Sequence, residues 1–193
     1  MTFTSLFAVI EKIVGLLLEE KEIIREYLQE KAWLRGHFLI REEEMADRVF
    51  FVVRGLIKEY YLVSDIADSE VCTRFTSEGS FYYYIRSFVS GLPSTRYTVA
   101  LEDTLTLHLS KKDLEELFIR IPKMQRLVLI LTEQYLVLTE LRAELREVRP
   151  DAQRYLRFLE THKDISHRLK MKDIASYLRM TPEALSRARK KIM

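Results

Sequence analysis

The stretch LKMKDIASYLRMTPEALSRARKKIM, residues Leu169–Met193, decides how the rest of the chain is read. Ile174 and Leu178 are four apart, and Leu185, Ala188 and Ile192 keep a rhythm near 3.6 residues, so the spacing predicts two short helices, each with one apolar side. Ala175 is small where two such helices would cross closely. Thr181 suits the cap of the second helix, Pro182 its first position, and Glu183 the turn where the helix dipole favours an anion. The outer face then carries Ser186, Arg187, Arg189, Lys190 and Lys191. A polar, basic helix of this kind is shaped for the major groove of DNA, which admits an α-helix and displays a distinct pattern for each base pair. An amphipathic hairpin with a solvated basic end would share the pattern.

Charge favours the groove. From Lys163 onward there are nine basic and three acidic side chains, or +6 in a chain of net charge +2, leaving about −4 for the remainder. At 193 residues, 48% hydrophobic and 31% charged, the chain has room for one large domain or a medium and a small one. A single cysteine, Cys72, excludes an internal disulfide framework and any cysteine-ligated zinc or iron-sulfur site held by one chain. Charged residues from Glu11 to Lys21 interrupt the N-terminal apolar stretch, so neither a membrane span nor a signal peptide is expected, and a soluble, cytoplasmic protein fits best.

Working toward the N-terminus, Asp151 to His162 predicts a helix that would complete the C-terminal core. Before it, Pro122 opens a long helix that can run to Arg149, where Pro150 stops it. Leu127, Leu131, Gln134, Leu138, Leu141, Leu145 and Val148 alternate steps of four and three, the seam of a coiled coil with one polar core position. The seam predicts a homodimer; lengthwise packing on the chain's own β domain is the other reading. A short helix precedes it at Lys111 to Ile119. Between Ala32 and Leu109 the texture is β-branched and aromatic, with runs at Phe38–Ile40, Val49–Val53, Leu56–Val63, Val71–Phe75, Tyr97–Ala100 and Leu105–Leu109, punctuated by glycines. Many short strands at close spacing predict a sandwich, barrel or roll. From Ser5 to Lys31 helical spacing returns, with a break near Gly15.

Helix, β domain containing RVFFVVRGLIKEYYL, long heptad helix and helical pair, in that order, resemble the Crp/Fnr family of bacterial transcription regulators. Three local features carry the resemblance. Val49 to Gly55 followed by Leu56 to Tyr60 looks like the family's strand, tight turn and strand around a glycine of positive φ. Arg41 to Glu44 stands near where the family has a glycine-containing loop, and Glu183-Ala184-Leu185-Ser186-Arg187 matches the Glu-x-x-Ser-Arg element of the Fnr-like recognition helix. The resemblance implies an α+β fold: an N-terminal cyclic-nucleotide-binding-like β-roll sensor domain with flanking helices at 1–121, a dimerisation helix at 122–149, and an all-α helix-turn-helix DNA-binding domain at 150–193. It also implies a homodimer on a near-palindromic duplex, with RNA polymerase as a further partner. Glu183 would accept from a cytosine amino group, Arg187 would donate to guanine, and Ser186 would touch a neighbouring base edge. Thr181 and the helix N-terminus, which Pro182 opens, would hold a phosphate, with Arg189, Lys190 and Lys191 adding charge.

The sequence departs from the family pattern in three places. Arg179 occupies the turn position where glycine is usual, so a bulky residue would have to adopt a left-handed conformation. The sequence runs to Met193 directly after the recognition helix, so the two-stranded wing is expected to be missing or truncated. Family members that bind cyclic nucleotides carry a Gly-Glu pair for the ribose and an Arg-Ser pair for the phosphate. Here Gly79 remains, tyrosines Tyr82, Tyr83 and Tyr84 stand where the glutamate is sought, and Arg96 is followed by Tyr97. That is a poor cAMP site. Gly79, Tyr82, Tyr83, Tyr84, Arg86, Arg96 and Tyr97 could instead line a pocket for another effector, or the tyrosines could simply alternate between core and surface.

An enzyme is not expected. His37, His108, His162 and His167 are scattered without metal spacing and without a neighbouring nucleophile, and there is no glycine-rich phosphate loop. The competing function is a ligand-binding or protein-interaction module whose helical tail contacts a protein partner.

Overall fold

Phe50 and Phe51 are neighbours in sequence yet lie in two different cores, because successive strand residues face opposite sides of a sheet. The computed structural model describes residues 2–63 and 70–192. Its elements are α1 (Thr2–Glu11), α2 (Leu18–Tyr27), β1 (Gln29–Trp33), β2 (Phe38–Ile40), β3 (Arg48–Arg54), β4 (Leu56–Leu62), β5 (Glu70–Ser77), β6 (Phe81–Tyr82), α3 (Ile85–Ser90), β7 (Tyr97–Ala100), β8 (Thr104–Ser110), α4 (Lys111–Arg120), α5 (Lys123–Glu147), α6 (Asp151–Thr161), α7 (Met171–Leu178) and α8 (Pro182–Ile192). The chain divides into two units, one of Met1–Glu59 with Phe75–Thr132, the other of Tyr60–Arg74 with Glu133–Met193.

The described strands form two four-stranded sheets, ordered β1-β8-β3-β6 and β2-β7-β4-β5, with the end of β4 and the start of β5 counted in the second unit. Phe50, Val52, Trp33, Ile57, Tyr82, Tyr84 and Ala100 fill the roll interior, whereas Phe51 and Leu107 meet Leu6, Phe7, Ile10, Ile24, Leu117 and Leu127 of the flanking helices. The α+β architecture expected from the sequence is therefore present. Between β3 and β4, Gly55 has φ +106, and Glu78 accepts from its N–H at 2.8 Å. The looser loop match has a counterpart in Glu43, whose φ of 68 lies in the left-handed region that glycine usually fills.

Three boundaries differ from the sequence reading. Helical spacing read as far as Lys31 ends at Tyr27, because Gln29 to Trp33 pair with His108 to Thr104 and Trp33 is buried. Ladder bonds and burial there outweigh the i,i+4 pattern. β6 and α3 were too short to show a period. The long helix does not stand apart as a piece at 122–149, since its N-terminal half packs in the first unit and its C-terminal half in the second.

That division sets how much of the leucine seam is exposed. Leu127 is 2% exposed in the first unit's core, Leu131 packs against the same core, and Leu145 is 7% exposed in the second unit. Val148 is half-buried. Only the middle of the seam, Gln134, Leu138 and Leu141, faces outward, joined by the exposed Leu129, Leu136 and Val137. A continuous seven-residue stripe is not free to meet a partner, because its two ends are used within the chain.

His108 is a buried strand residue beside the Phe50 ring, with centroids 5.5 Å apart. Its Nδ1 has no hydrogen-bond partner among the described residues, and Arg48 Nη1 lies 3.4 Å from Nε2. Burial, then the charges of Arg48 and Lys31, hold its pKa below the ordinary 6.5. Below that value the unfolded chain takes up a proton that the folded chain resists, so stability present above pH ~6.5 is lost as pH falls toward the lowered folded value. The melting temperature is expected to drop between about pH 7.5 and 5.5, and His108→Gln to flatten that slope. An unchanged slope would show that His108 titrates alike folded and unfolded.

Candidate nucleic-acid interface

In the second unit, α6, α7 and α8 pack around Phe158, Leu178 and Leu185, each 0% exposed, with Ile174, Ala175, Tyr177 and Ala188 beside them. Thr181 caps α8 by accepting from the Ala184 N–H at 3.1 Å, and Pro182 takes the first helical position. The apolar rhythm turns Leu185 and Ala188 inward. Thr181, Pro182, Glu183, Ser186, Arg187, Arg189 and Lys190 consequently lie exposed on the other side, so all seven candidate DNA contacts share one helix surface. Glu183's own backbone N–H, then the Thr181 hydroxyl, hold its carboxyl below the usual carboxylate range, and Arg187 one turn on adds to this. Glu183 is thus an anion able to accept from a base amino group.

The turn before α8 is built against local preference. Arg179 sits at φ 53, ψ 48, and its N–H donates to the Ser176 carbonyl at 3.1 Å while the Met180 N–H reaches the Ala175 carbonyl at 2.9 Å. This is a Schellman cap with arginine at the glycine position. Two further carbonyls at the end of α7 are met by side chains that the sequence reading did not single out. Arg146 Nε donates to the Tyr177 carbonyl at 3.2 Å and Arg154 Nη1 to that of Leu178 at 2.9 Å. One sign was legible: Arg154 stands four residues before Phe158, on the apolar face of α6. Ser176 also ties α7 to β5, donating to the Glu70 carbonyl at 2.6 Å and accepting from the Cys72 N–H at 2.8 Å.

The seven residues expected to line an effector pocket take up separate environments. Tyr82 and Tyr84 are buried in the roll; the Tyr82 hydroxyl pairs with Thr98 and donates to Glu59 at 3.1 Å, and that of Tyr84 pairs with Thr95 at 2.9 Å. Tyr83 stacks edge-on with Phe88, and Arg86 is exposed on α3. Tyr97 meets Phe38 and donates to Glu42 at 3.1 Å, the Arg96 N–H is held by Ser94 at 3.1 Å, and Gly79 occupies a turn at φ 75. Tyr82 and Tyr84 are buried and Tyr83 is half-buried where β6 gives way to α3.

The described elements are two four-stranded sheets with flanking helices, a long helix and a C-terminal helix-turn-helix. Residues 30–120 match the cyclic nucleotide-binding domain family. FixK2 from Bradyrhizobium japonicum is similar in structure, with 23% identity, 86% of this chain and 84% of that chain covered, and a TM-score of 0.70. The c-di-GMP responsive global regulator CLP of Xanthomonas campestris is similar at 15% identity, with 90% of each chain covered and a TM-score of 0.71. CooA from Carboxydothermus hydrogenoformans, as a mutant, is similar at 15% identity, covering 87% of this chain and 77% of that one, with a TM-score of 0.69. No curated protein matches the chain by sequence. The chain thus shares its fold with FixK2, CLP and CooA, and just under half of it matches the cyclic nucleotide-binding domain.

Proposed function

We propose that this chain is a sequence-specific, DNA-binding transcription regulator of Crp/Fnr type that acts in the cytoplasm as a homodimer. The observation that carries the reading is the single exposed surface of α8, on which Glu183, Ser186 and Arg187 stand ready for base edges above a buried Leu185 and Ala188. Its functional parts would be a sensor at 1–121, a connecting helix at 122–149 and a reader at 150–193. Support for the dimer comes from the middle of α5, where Leu129, Leu136, Val137, Leu138 and Leu141 are each about half exposed or more. Two α8 helices about 34 Å apart would read a near-palindromic site, with RNA polymerase as a further partner. Among the described residues no helix is long and apolar enough to cross a membrane.

The sensor does not take cAMP in this reading. Residues of the roll do not fit a cyclic nucleotide: the buried Tyr82 holds Glu59 and Thr98, and Arg96 is followed by a tyrosine bound to Glu42. The Gly-Glu pair is missing, since Gly79 is followed by Ser80 and Glu78 before it is engaged by the Gly55 N–H, and the Arg-Ser pair is replaced by Arg96-Tyr97. The salt dependence of duplex binding tests the function. Affinity is expected to fall by roughly a thousandfold or more between about 50 and 200 mM salt as condensed counterions are released. Absence of duplex binding at low salt would favour a tail that contacts protein instead.

A further inference from the structure

Arginines that close the end of α7 also enclose a space. The last turns of α5, the first turn of α6 and the turn after α7 surround a cleft of about 370 Å3, lined by Ala143, Arg146, Glu147, Arg149, Arg154 and Arg179. Four guanidiniums face two carboxylates, Glu147 in the lining and Asp151, which lies 3.9 Å from Arg149 and 3.3 Å from Arg154. Arg154 is only 2% exposed. Two of its nitrogens are satisfied, Nε by the Val148 carbonyl at 3.1 Å and Nη1 by that of Leu178 at 2.9 Å. Nη2 is near Asp151 but hydrogen-bonds nothing among the described residues. Asp151 offsets part of the cost of burying this guanidinium as an ion pair, and a further anion in the cleft would add to that offset.

Arg146 and the backbone of Arg179 are also anchored. Arg146 is fixed through the Tyr177 carbonyl at 3.2 Å and the Thr73 carbonyl at 3.3 Å, and the Arg179 backbone is locked by its Schellman bonds. Guanidiniums gathered around one concavity match the oxygens of a phosphate group, which an arginine binds through two parallel donors. We propose that this cleft binds a small, freely diffusing phosphate-bearing anion. A duplex backbone cannot deliver a phosphate to a side chain as buried as Arg154; the occupant must be small enough to enter. Because Arg179 stands three positions before the start of α8, the bound anion would brace the turn that aims the recognition helix.

Titration calorimetry of the full chain with inorganic pyrophosphate, at constant ionic strength against chloride, tests this. One saturable site per chain is expected. Arg154→Ala would strip two carbonyls of α7 and the linker and is a poor probe, so two gentler variants are used. Arg149 is 71% exposed, and glycine suits the φ of 53 at Arg179. Arg149→Ala and Arg179→Gly are each expected to weaken pyrophosphate binding roughly tenfold while leaving the chain folded, the worth of one charged hydrogen bond. Absence of saturable binding, or binding that both variants leave intact, would overturn the proposal. So would displacement of pyrophosphate by a duplex, which would assign the site to backbone phosphates.

Discussion

Replacing Gly55 with alanine is expected to cost roughly 2 to 4 kcal/mol of stability. Two causes add. At φ +106 the backbone is in a conformation that side chains rarely adopt, and an added Cβ would lie 2.6 Å from Thr104 Cα and against its Oγ1. Thr104 cannot give way cheaply, since it is 2% exposed, starts β8, and its hydroxyl is held by the Glu102 carbonyl at 2.8 Å. The strand pairing already shifts register between Val52 and Arg54, so the turn has no slack to absorb the methyl group. Urea unfolding should show a lower midpoint at unchanged slope. Gly79→Ala is the control: its φ is +75 with nothing within 4 Å, so only conformational strain, about 1 kcal/mol, is expected. Equal losses at both sites would show that the contact with Thr104 does not matter.

Arg187→Ala is expected to cost about 1 to 3 kcal/mol of DNA affinity on the preferred site and to relax base choice at one position. Arg187 is exposed one turn beyond Glu183, away from the buried Leu185 and Ala188, so the fold should not register its removal. Its reach and paired donors suit the O6 and N7 of guanine, whereas removal of Arg189 or Lys190, proposed as phosphate contacts, should weaken all sequences alike. Salt separates the two kinds. Loss of a phosphate contact lowers the salt slope by about one, and loss of a base contact leaves it nearly unchanged.

Local rules made much of this legible. The α8 start was readable because Thr181, Pro182 and Glu183 each satisfy a different requirement of a helix N-terminus, and Ala184 does donate to Thr181. β2 and β7 were readable as β-branched and aromatic runs, and Arg179 could be foreseen in the left-handed region because a family glycine was missing there. What failed depends on partners distant in sequence. β1 looked helical until β8 paired with it, and the leucine seam of α5 looked uniform although Leu127 and Leu145 are claimed by different cores. Arg146 and Arg154 gave little warning, because the carbonyls they satisfy lie 31 and 24 residues away. The tyrosine run was open to two readings in sequence; buried hydroxyl pairs with Thr98 and Thr95 favour the structural one.

Competition binding tests the central claim most directly: the full chain and its Arg187→Ala variant are each titrated onto a duplex selected from a random pool and onto a scrambled duplex, at one fixed salt concentration. The selected sequence is expected to be two-fold symmetric, with the native chain preferring it over the scrambled duplex by roughly a thousandfold and the variant giving up about ten- to a hundredfold of that preference. Equal affinities of the native chain for both duplexes, or an equal loss on both in the variant, would contradict a recognition helix that reads bases through Arg187.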